Sequence, residues 1–222
     1  MLIITIDGPS GVGKGTLALN LVEKLELNYL NSGSIYRSIG YIAEINSIDL
    51  NNTDELINIG SSIIFNIKHD SHDVDIIYED KIINNLIFNE ETAKIASKIS
   101  SNKALRLSLV SIQRSFAKEP GLIAEGRDMG SVIFPNAEIK FFLTANNETK
   151  AKRRLNQLKE KGINVSLTQL IDELNARDKR DLTRKVSPLV IPDDALVIET
   201  DNKSIKDVQK EAMKHIKSSN QL

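Results

Sequence analysis

The chain has no cysteine and no tryptophan. Lack of cysteine excludes disulfides, thiolate zinc sites and a cysteine nucleophile in one step. No apolar run approaches the ~20 residues that cross a bilayer, so no membrane partner is expected. Internal repeats, linkers and low-complexity tracts are also missing. Hydrophobic residues at 41% and charged residues at 27% are ordinary for a globular chain. At 222 residues there is material for one α/β core with a smaller insertion, and too little for two equal domains. A first strand begins at Leu2 and a glycine-rich turn at Gly8, which leaves no room for a signal or transit peptide, so the cytoplasm is the expected compartment.

An excess of charge of either sign is lacking overall, since the net charge is −1. Its distribution is uneven. Residues 150–185 hold 11 Lys or Arg against 5 Asp or Glu, a balance of +6 that leaves −7 for the remainder. A basic stripe can be a solvated helix face or a nucleic-acid surface. In a chain that also carries a phosphate-binding motif, the economical reading is a basic flap over polyphosphate, with no nucleic-acid polymer as partner.

That motif is Gly8-Pro9-Ser10-Gly11-Val12-Gly13-Lys14-Gly15-Thr16, preceded by the apolar β-run Ile3 to Asp7 and followed by an amphipathic helical pattern. Strand, glycine loop and helix are the context that a phosphate loop requires. Glycines let successive N–H groups turn inward around an anion, Lys14 adds charge, and the helix N-terminus points its dipole at the same place. Thr16 offers a hydroxyl to Mg²⁺, directly or through water, or to a phosphate oxygen. Gly15 separates the lysine from the threonine, a GKGT variant that resembles nucleoside monophosphate kinases more than GTPases. A guanine-reading N-K-x-D segment is missing, because Asn102-Lys103-Ala104-Leu105 and Asn202-Lys203-Ser204-Ile205 both lack the aspartate.

Further along, Leu17, Leu21 and Leu25 form a helical stripe. Strands are expected at Asn28 to Leu30, Leu122 to Glu125, Ile139 to Leu143 and Leu196 to Ile198. With the first strand they give a five-stranded parallel sheet flanked by helices, an α/β fold of P-loop NTPase type. Helices are expected at about Ser34 to Ile45, at Thr53 to Ser62 with Thr53 as cap, at Asn89 to Ser100, and at Asn102 to Lys118. Asn147 is expected to cap a long basic helix, and Ser166 another over Leu167 to about Lys179. Ile63 to Ile67 and Val74 to Tyr78 break the alternation as an antiparallel hairpin across the polar turn Lys68 to Asp73, with a last strand near Lys81 to Ile83. His69, Asp70, His72 and Asp73 lie in that turn without a register to converge them on a metal, so a solvated loop is the reading there. One domain is therefore expected, with a core (1–62, 89–147, 186–222) and two irregular segments, the hairpin insert (about 63–88) and the basic helical hairpin (about 148–185), where such a fold would hold an acceptor site and a mobile lid. Gly126-Arg127-Asp128-Met129-Gly130 at a strand end suggests a binding loop. Asp128 there has three readings: a Mg²⁺-holding carboxylate, a base-reading acceptor, or the salt-bridge partner of Arg127.

Four blocks carry a family resemblance. Ile6-Asp7-Gly8-Pro9-Ser10-Gly11, Asn31-Ser32-Gly33-Ser34-Ile35-Tyr36-Arg37, Glu125-Gly126-Arg127-Asp128-Met129-Gly130 with Phe134-Pro135, and Arg177-Asp178-Lys179-Arg180-Asp181 with Pro188-Leu189 resemble bacterial cytidylate kinases. The similarity runs along nearly the whole chain. It implies transfer of the γ-phosphoryl group of ATP, with Mg²⁺, to CMP or dCMP. By matching position it implies that Ser97, Arg106 and Asp128 read the cytosine edge and that Arg37 and Arg127 hold the acceptor phosphate. Arg177 and Asp181 would meet the sugar, Ser32 and Arg184 would also contact the acceptor, and Arg153 and Arg154 would belong to the lid. Lys14, Arg127, Arg153, Arg154, Arg177 and Arg184 become the charge-neutralising catalytic groups. Asn31 stands where the family usually has Asp. Because the acceptor oxygen is already anionic, no side-chain general base is needed. Nothing in the sequence calls for assembly, so a monomer is expected.

Overall fold

The structure is a computed structural model that describes residues 1–68, 74–160, 162 and 165–219. Its centre is a parallel sheet of five strands: β1 (Leu2–Asp7), β2 (Asn28–Asn31), β6 (Gly121–Glu125), β7 (Ile139–Thr144) and β8 (Leu196–Glu199), in the order β2-β6-β1-β7-β8. The apolar runs of β1, β6 and β7 are buried on both faces, as a parallel sheet covered by helices on each side requires. Ile6 pairs with Glu125 and Phe141, and Asn31 pairs with Glu125. This register brings the carboxyl ends of β1, β2 and β6 side by side, where ligands bind in open α/β sheets.

Two cores flank the sheet. On one face α1 (Lys14–Leu25) and α9 (Ile205–Ser218) bury Leu17, Ala18, Leu21, Ala212 and Ile216 against Ile4, Ile6 and Phe141. On the other, α2 (Ser32–Ile45), α3 (Thr53–Ser62) and α4 (Glu90–Ile99) pack Ile35, Ile39, Leu56 and Ile99 against Leu30 and Leu122. The basic segment forms an antiparallel pair, α7 (Asn147–Glu160) and α8 (Leu167–Thr183). It has a small core of its own, Ala151, Leu158 and Leu170 with Ile171 and Leu174 against them. The hairpin insert is the antiparallel sheet β3 (Ile64–Ile67), β4 (Val74–Tyr78) and β5 (Lys81–Ile82). Its second turn is made by Glu79 and Asp80, both at positive φ, the conformation that matches strand twist in a two-residue turn. Residues 69–73, with both histidines considered as metal ligands, lie outside the described residues.

The span of α3 is as expected, but several caps and helix starts differ from expectation, and most share one cause. An asparagine placed one residue earlier takes the cap. Asn31 Oδ1 accepts the Ser34 N–H, so α2 begins at Ser32; Asn52 caps α3 instead of Thr53; Asn146 instead of Asn147 accepts the Thr149 N–H. Asn ranks above Thr as a cap because its carbonyl reaches the N3 amide readily. The helix expected from Asn102 to Lys118 is broken into α5 (Lys103–Ser108) and α6 (Val110–Arg114). At the junction the Leu109 N–H is shared between the carbonyls of Leu105 and Arg106. Leu105, Leu109 and Phe116 remain buried, so the apolar stripe survives the break. After β6 the chain makes a single π-helical turn, Met129–Ile133, which sequence periodicity did not indicate.

Candidate active site

A cleft of about 1020 Å³ opens above the carboxyl ends of β1, β2 and β6, between the sheet and the α7–α8 pair. One wall is made of backbone. Gly8 sits at φ 142°, and a Cβ there would lie 2.2 Å from the Leu143 carbonyl oxygen, so no other residue fits. Gly13, at φ 98°, is the residue before α1, and its space is open; there it is the left-handed backbone that requires glycine. No side chain caps α1. Its first N–H groups are therefore free to face an anion. The Lys14 ammonium donates to the Pro9 carbonyl at 2.7 Å, and burial, then the nearby Arg127, push its pKa well down.

The opposite wall is made of buried charge. Arg106 on α5 ion-pairs with Asp128 and donates to the Ser100 carbonyl. Arg184 lies 3.9 Å from Asp128 and 3.7 Å from Asp181. Arg127 donates to Asp181 at 2.8 Å and to the Ser10 hydroxyl oxygen at 2.7 Å. It therefore joins the two walls and does not pair with Asp128, which removes that reading of Asp128. Burial is opposed by Arg127, Arg177 and Arg184, which together hold the Asp181 carboxyl below the usual aspartate value. Arg106 Nε, Arg184 Nη2 and the Tyr36 hydroxyl are buried without a hydrogen-bond partner among the described residues. Buried donors are nearly always satisfied, so this pocket has the inventory of a site that receives acceptor atoms from a ligand.

The cleft brings together Ser10 to Thr16 of the loop with Arg37, Ser97, Arg127, Arg153, Arg154 and Arg177. Ser32, Arg106, Asp128, Asp181 and Arg184 sit behind its surface, all but fully buried. Ser32 donates its hydroxyl to Gln113, and Ser97 accepts from Arg180. Arg37 donates to the Ile87 and Asn89 carbonyls and lies over the Phe88 ring at 5.5 Å. Burial lowers Arg37 to about 10, and burial with Arg127 does the same for Arg177. Arg153 is held by Thr200 and the Gly11 carbonyl, while Arg154 reaches across to Glu90 on α4.

A model of the cytidylate kinase family matches residues 4–218. The chain is 42% identical over 222 residues to the cytidylate kinase of Shewanella piezotolerans, covering 99% of this chain and 96% of that one. It is 42% identical over 215 residues to cytidylate kinase 1 of Haemophilus influenzae, covering 97% and 93%. The chain belongs to the cytidylate kinase family. Among solved structures it is similar to a gluconokinase from Sinorhizobium meliloti (TM-score 0.51, 10% identity, 98% and 92% covered) and an uncharacterized protein from Eubacterium ventriosum (TM-score 0.55, 15% identity, 98% of each covered). Those two likenesses concern the fold alone.

For this cytidylate kinase family member the structure adds residues that sequence reasoning passed over. Glu125 ends β6 beside the phosphate loop, accepts the Tyr29 hydroxyl at 2.5 Å, and would lie 3.2 Å from a Cβ built on Gly15. An apolar strand ending in a carboxylate next to the loop strand was the available signal. Burial, and then Glu125, push the Tyr29 hydroxyl pKa up. Lys150 and Asp178 form a buried ion pair between α7 and α8, and Asp178 also accepts the Ser10 N–H. Asp178 stands inside one of the blocks that carry the resemblance, but neither it nor Lys150 was expected to have a role of its own. Among the described residues no group of three or more His, Cys, Asp or Glu could hold a metal. The donor set suits a cation that arrives with its own phosphate oxygens and needs few protein ligands.

Proposed function

We propose that this cleft catalyses transfer of the γ-phosphoryl group of ATP to CMP or dCMP. The observation that carries the reading is the juxtaposition of an uncapped helix N-terminus behind a glycine loop with a buried Arg106–Asp128 pair ringed by unpartnered donors. One wall suits polyphosphate, the other a small anion with a hydrogen-bonding base. Family membership supports the same pair of substrates.

In this reading the Gly8 to Thr16 loop cradles the ATP phosphates with its amides other than that of Ser10, which Asp178 engages, and Lys14 exchanges the Pro9 carbonyl for phosphate oxygens. Arg37 and Arg127 hold the acceptor phosphate, Ser97, Arg106 and Asp128 read the base, and Arg177 and Asp181 orient the sugar, with Ser32 and Arg184 beside them. An acceptor phosphate oxygen, already anionic, attacks the γ-phosphorus. A new P–O bond forms as the bond to the β–γ bridging oxygen breaks, and ADP departs with that electron pair. Positioning and charge neutralisation supply the catalysis. Thr16 and Glu125 would hold Mg²⁺, which would supply positive charge to offset that of the ATP phosphates. Arg153, Arg154, Arg177 and Arg184 on the α7–α8 segment add charge and exclude water when the pair closes.

The division into core (1–62, 89–147, 186–222), acceptor insert (about 63–88) and lid (about 148–185) belongs to this proposal, as does a cytoplasmic monomer. The separate apolar core of α7 and α8 supports their moving as a unit. No helix among the described residues is long and apolar enough to cross a membrane. The test is ADP release with ATP and Mg²⁺ against CMP, dCMP, UMP, AMP, dTMP, shikimate and no acceptor. Fast turnover with CMP and dCMP and little without acceptor is expected. Equal, slow turnover with every acceptor overturns the reading.

A further inference from the structure

Asp7 has no part in the mechanism above. It is 1% exposed, and both of its carboxylate oxygens are engaged. Oδ1 accepts the Met129 N–H at 2.9 Å and Oδ2 the Gly130 N–H at 2.7 Å. These amides open the π-helical turn Met129–Ile133, directly after Arg127 and Asp128. Asp128, at φ −146° and ψ 24°, stands at the start of that turn but its side chain, paired with Arg106, makes no capping hydrogen bond to it. The first N–H groups of a helical turn have no partner within it, and here a residue from another strand supplies one to each of two.

We propose that Asp7 is a positioning residue for acceptor recognition: from the last position of β1 it clamps the two amides after Asp128, and so fixes Asp128 and Arg127 in the orientation that meets CMP. This rests on the assignment of Asp128 to the base and Arg127 to the acceptor phosphate. The fit is close. A Cβ on Gly130 would fall 2.8 Å from Thr5 Oγ1 and 3.4 Å from Asp7 Oδ2, so the turn is seated directly on the end of β1. The next residue after Asp7 is Gly8, the start of the phosphate loop. A single junction thus holds the donor loop on one side and the acceptor-reading loop on the other. Burial pushes the Asp7 carboxyl up to about 6, against the two amides that favour its charged form. Charged acceptors make the stronger hydrogen bonds, which is a reason for a carboxylate at a place where an apolar side chain would fill the space.

The test uses Asp7→Asn and Asp128→Asn in parallel, with KM and kcat for CMP, UMP and ATP. Asparagine keeps the volume but turns an NH₂ toward one of the two amides. In Asp7→Asn the KM for CMP should rise about tenfold or more, and the CMP over UMP preference should shrink, while the KM for ATP stays near wild type. Loss of thermal stability alone, with CMP KM and preference unchanged, overturns the proposal while Asp128→Asn still loses preference. If Asp128→Asn keeps full preference for CMP, the base-reading assignment itself falls, and this inference with it. Should Asp7→Asn fail to fold, hydrogen exchange in the wild-type chain decides. Protection of the Met129 and Gly130 amides before CMP is added supports the clamp. Free exchange until CMP binds overturns it.

Discussion

The two walls of the cleft are built from different materials. The wall proposed to hold the phosphoryl donor is one contiguous segment, Gly8 to Thr16, and presents backbone amides and one lysine. The wall proposed to hold the acceptor is assembled from α5, the loop after β6, and α8, and presents buried guanidinium and carboxylate side chains. A wall of amides carries its polarity in the backbone and needs no partner elsewhere in the chain. A wall of buried ions must be neutralised internally before any ligand arrives, because an unpaired charge in the interior is costly. It follows that side-chain mutations should separate chemistry from folding on the donor wall and entangle them on the acceptor wall.

Lys14→Ala is the sharpest test of the first half. Single electrostatic contacts in such sites are worth ~10²-fold or more in turnover, and the lysine's sole hydrogen-bond acceptor among the described residues is the Pro9 carbonyl. Turnover should fall by at least that factor while the melting temperature barely moves. Near-normal turnover of the folded variant would remove the phosphate-binding role. Asp128→Ala is the matching test on the acceptor wall. It leaves Arg106 without its anion and takes from Arg184 one of two carboxylates, the other being Asp181 at 3.7 Å, and breaking one partner out of a buried pair costs about 3–5 kcal/mol. Here denaturant unfolding should show a large loss of stability together with a raised CMP KM and blurred CMP over UMP choice. A change confined to Mg²⁺ dependence would instead make Asp128 a metal-holding residue.

The same difference explains what could be read from sequence. The phosphate loop, its strand and its helix were legible because local chemistry and local order coincide there, and the five-stranded sheet followed from apolar runs. Arg106 was not, since an arginine on a helix is normally a surface residue; only the family resemblance singled it out. Asp7, Glu125, Lys150 and Asp178 act through partners 28 to 168 positions away, and no spacing rule finds such pairs. Helix starts slipped by one or two residues where an asparagine competes with its neighbours for the cap.

Tyr29→Phe probes the place where the walls adjoin. Without the hydroxyl, Glu125 loses the donor that fixes its rotamer beside Gly15. Groups that orient a metal-facing carboxylate typically affect metal affinity or activity by about tenfold or more. The variant should therefore need more Mg²⁺ for half-maximal turnover, and Mn²⁺ titration with ADP by paramagnetic relaxation should weaken in step. Unchanged metal dependence would leave Tyr29 as packing alone.

The smallest effect comes from two carboxylates with opposite pH behaviour. Asp7 is raised by burial to about 6 from 3.8, so between those values the folded chain binds more proton than the unfolded one. Its contribution to stability then falls as pH rises, by roughly 1–1.5 kcal/mol between pH 5 and pH 8. Asp181 is lowered, because the opposing cations Arg127, Arg177 and Arg184 together outweigh its burial. Its contribution is present above 3.8 and is lost as pH falls through its folded pKa. Denaturant unfolding of Asp7→Asn and Asp181→Asn at pH 5 and pH 8 separates them. Relative to wild type, Asp7→Asn should gain ground as pH rises across that interval, and Asp181→Asn should keep a constant deficit there and recover only in stronger acid. Parallel curves for both variants would mean that the carboxylate clamped by amides and the carboxylate clamped by arginines are electrostatically alike, and that amides and guanidinium groups hold a buried carboxylate equally well.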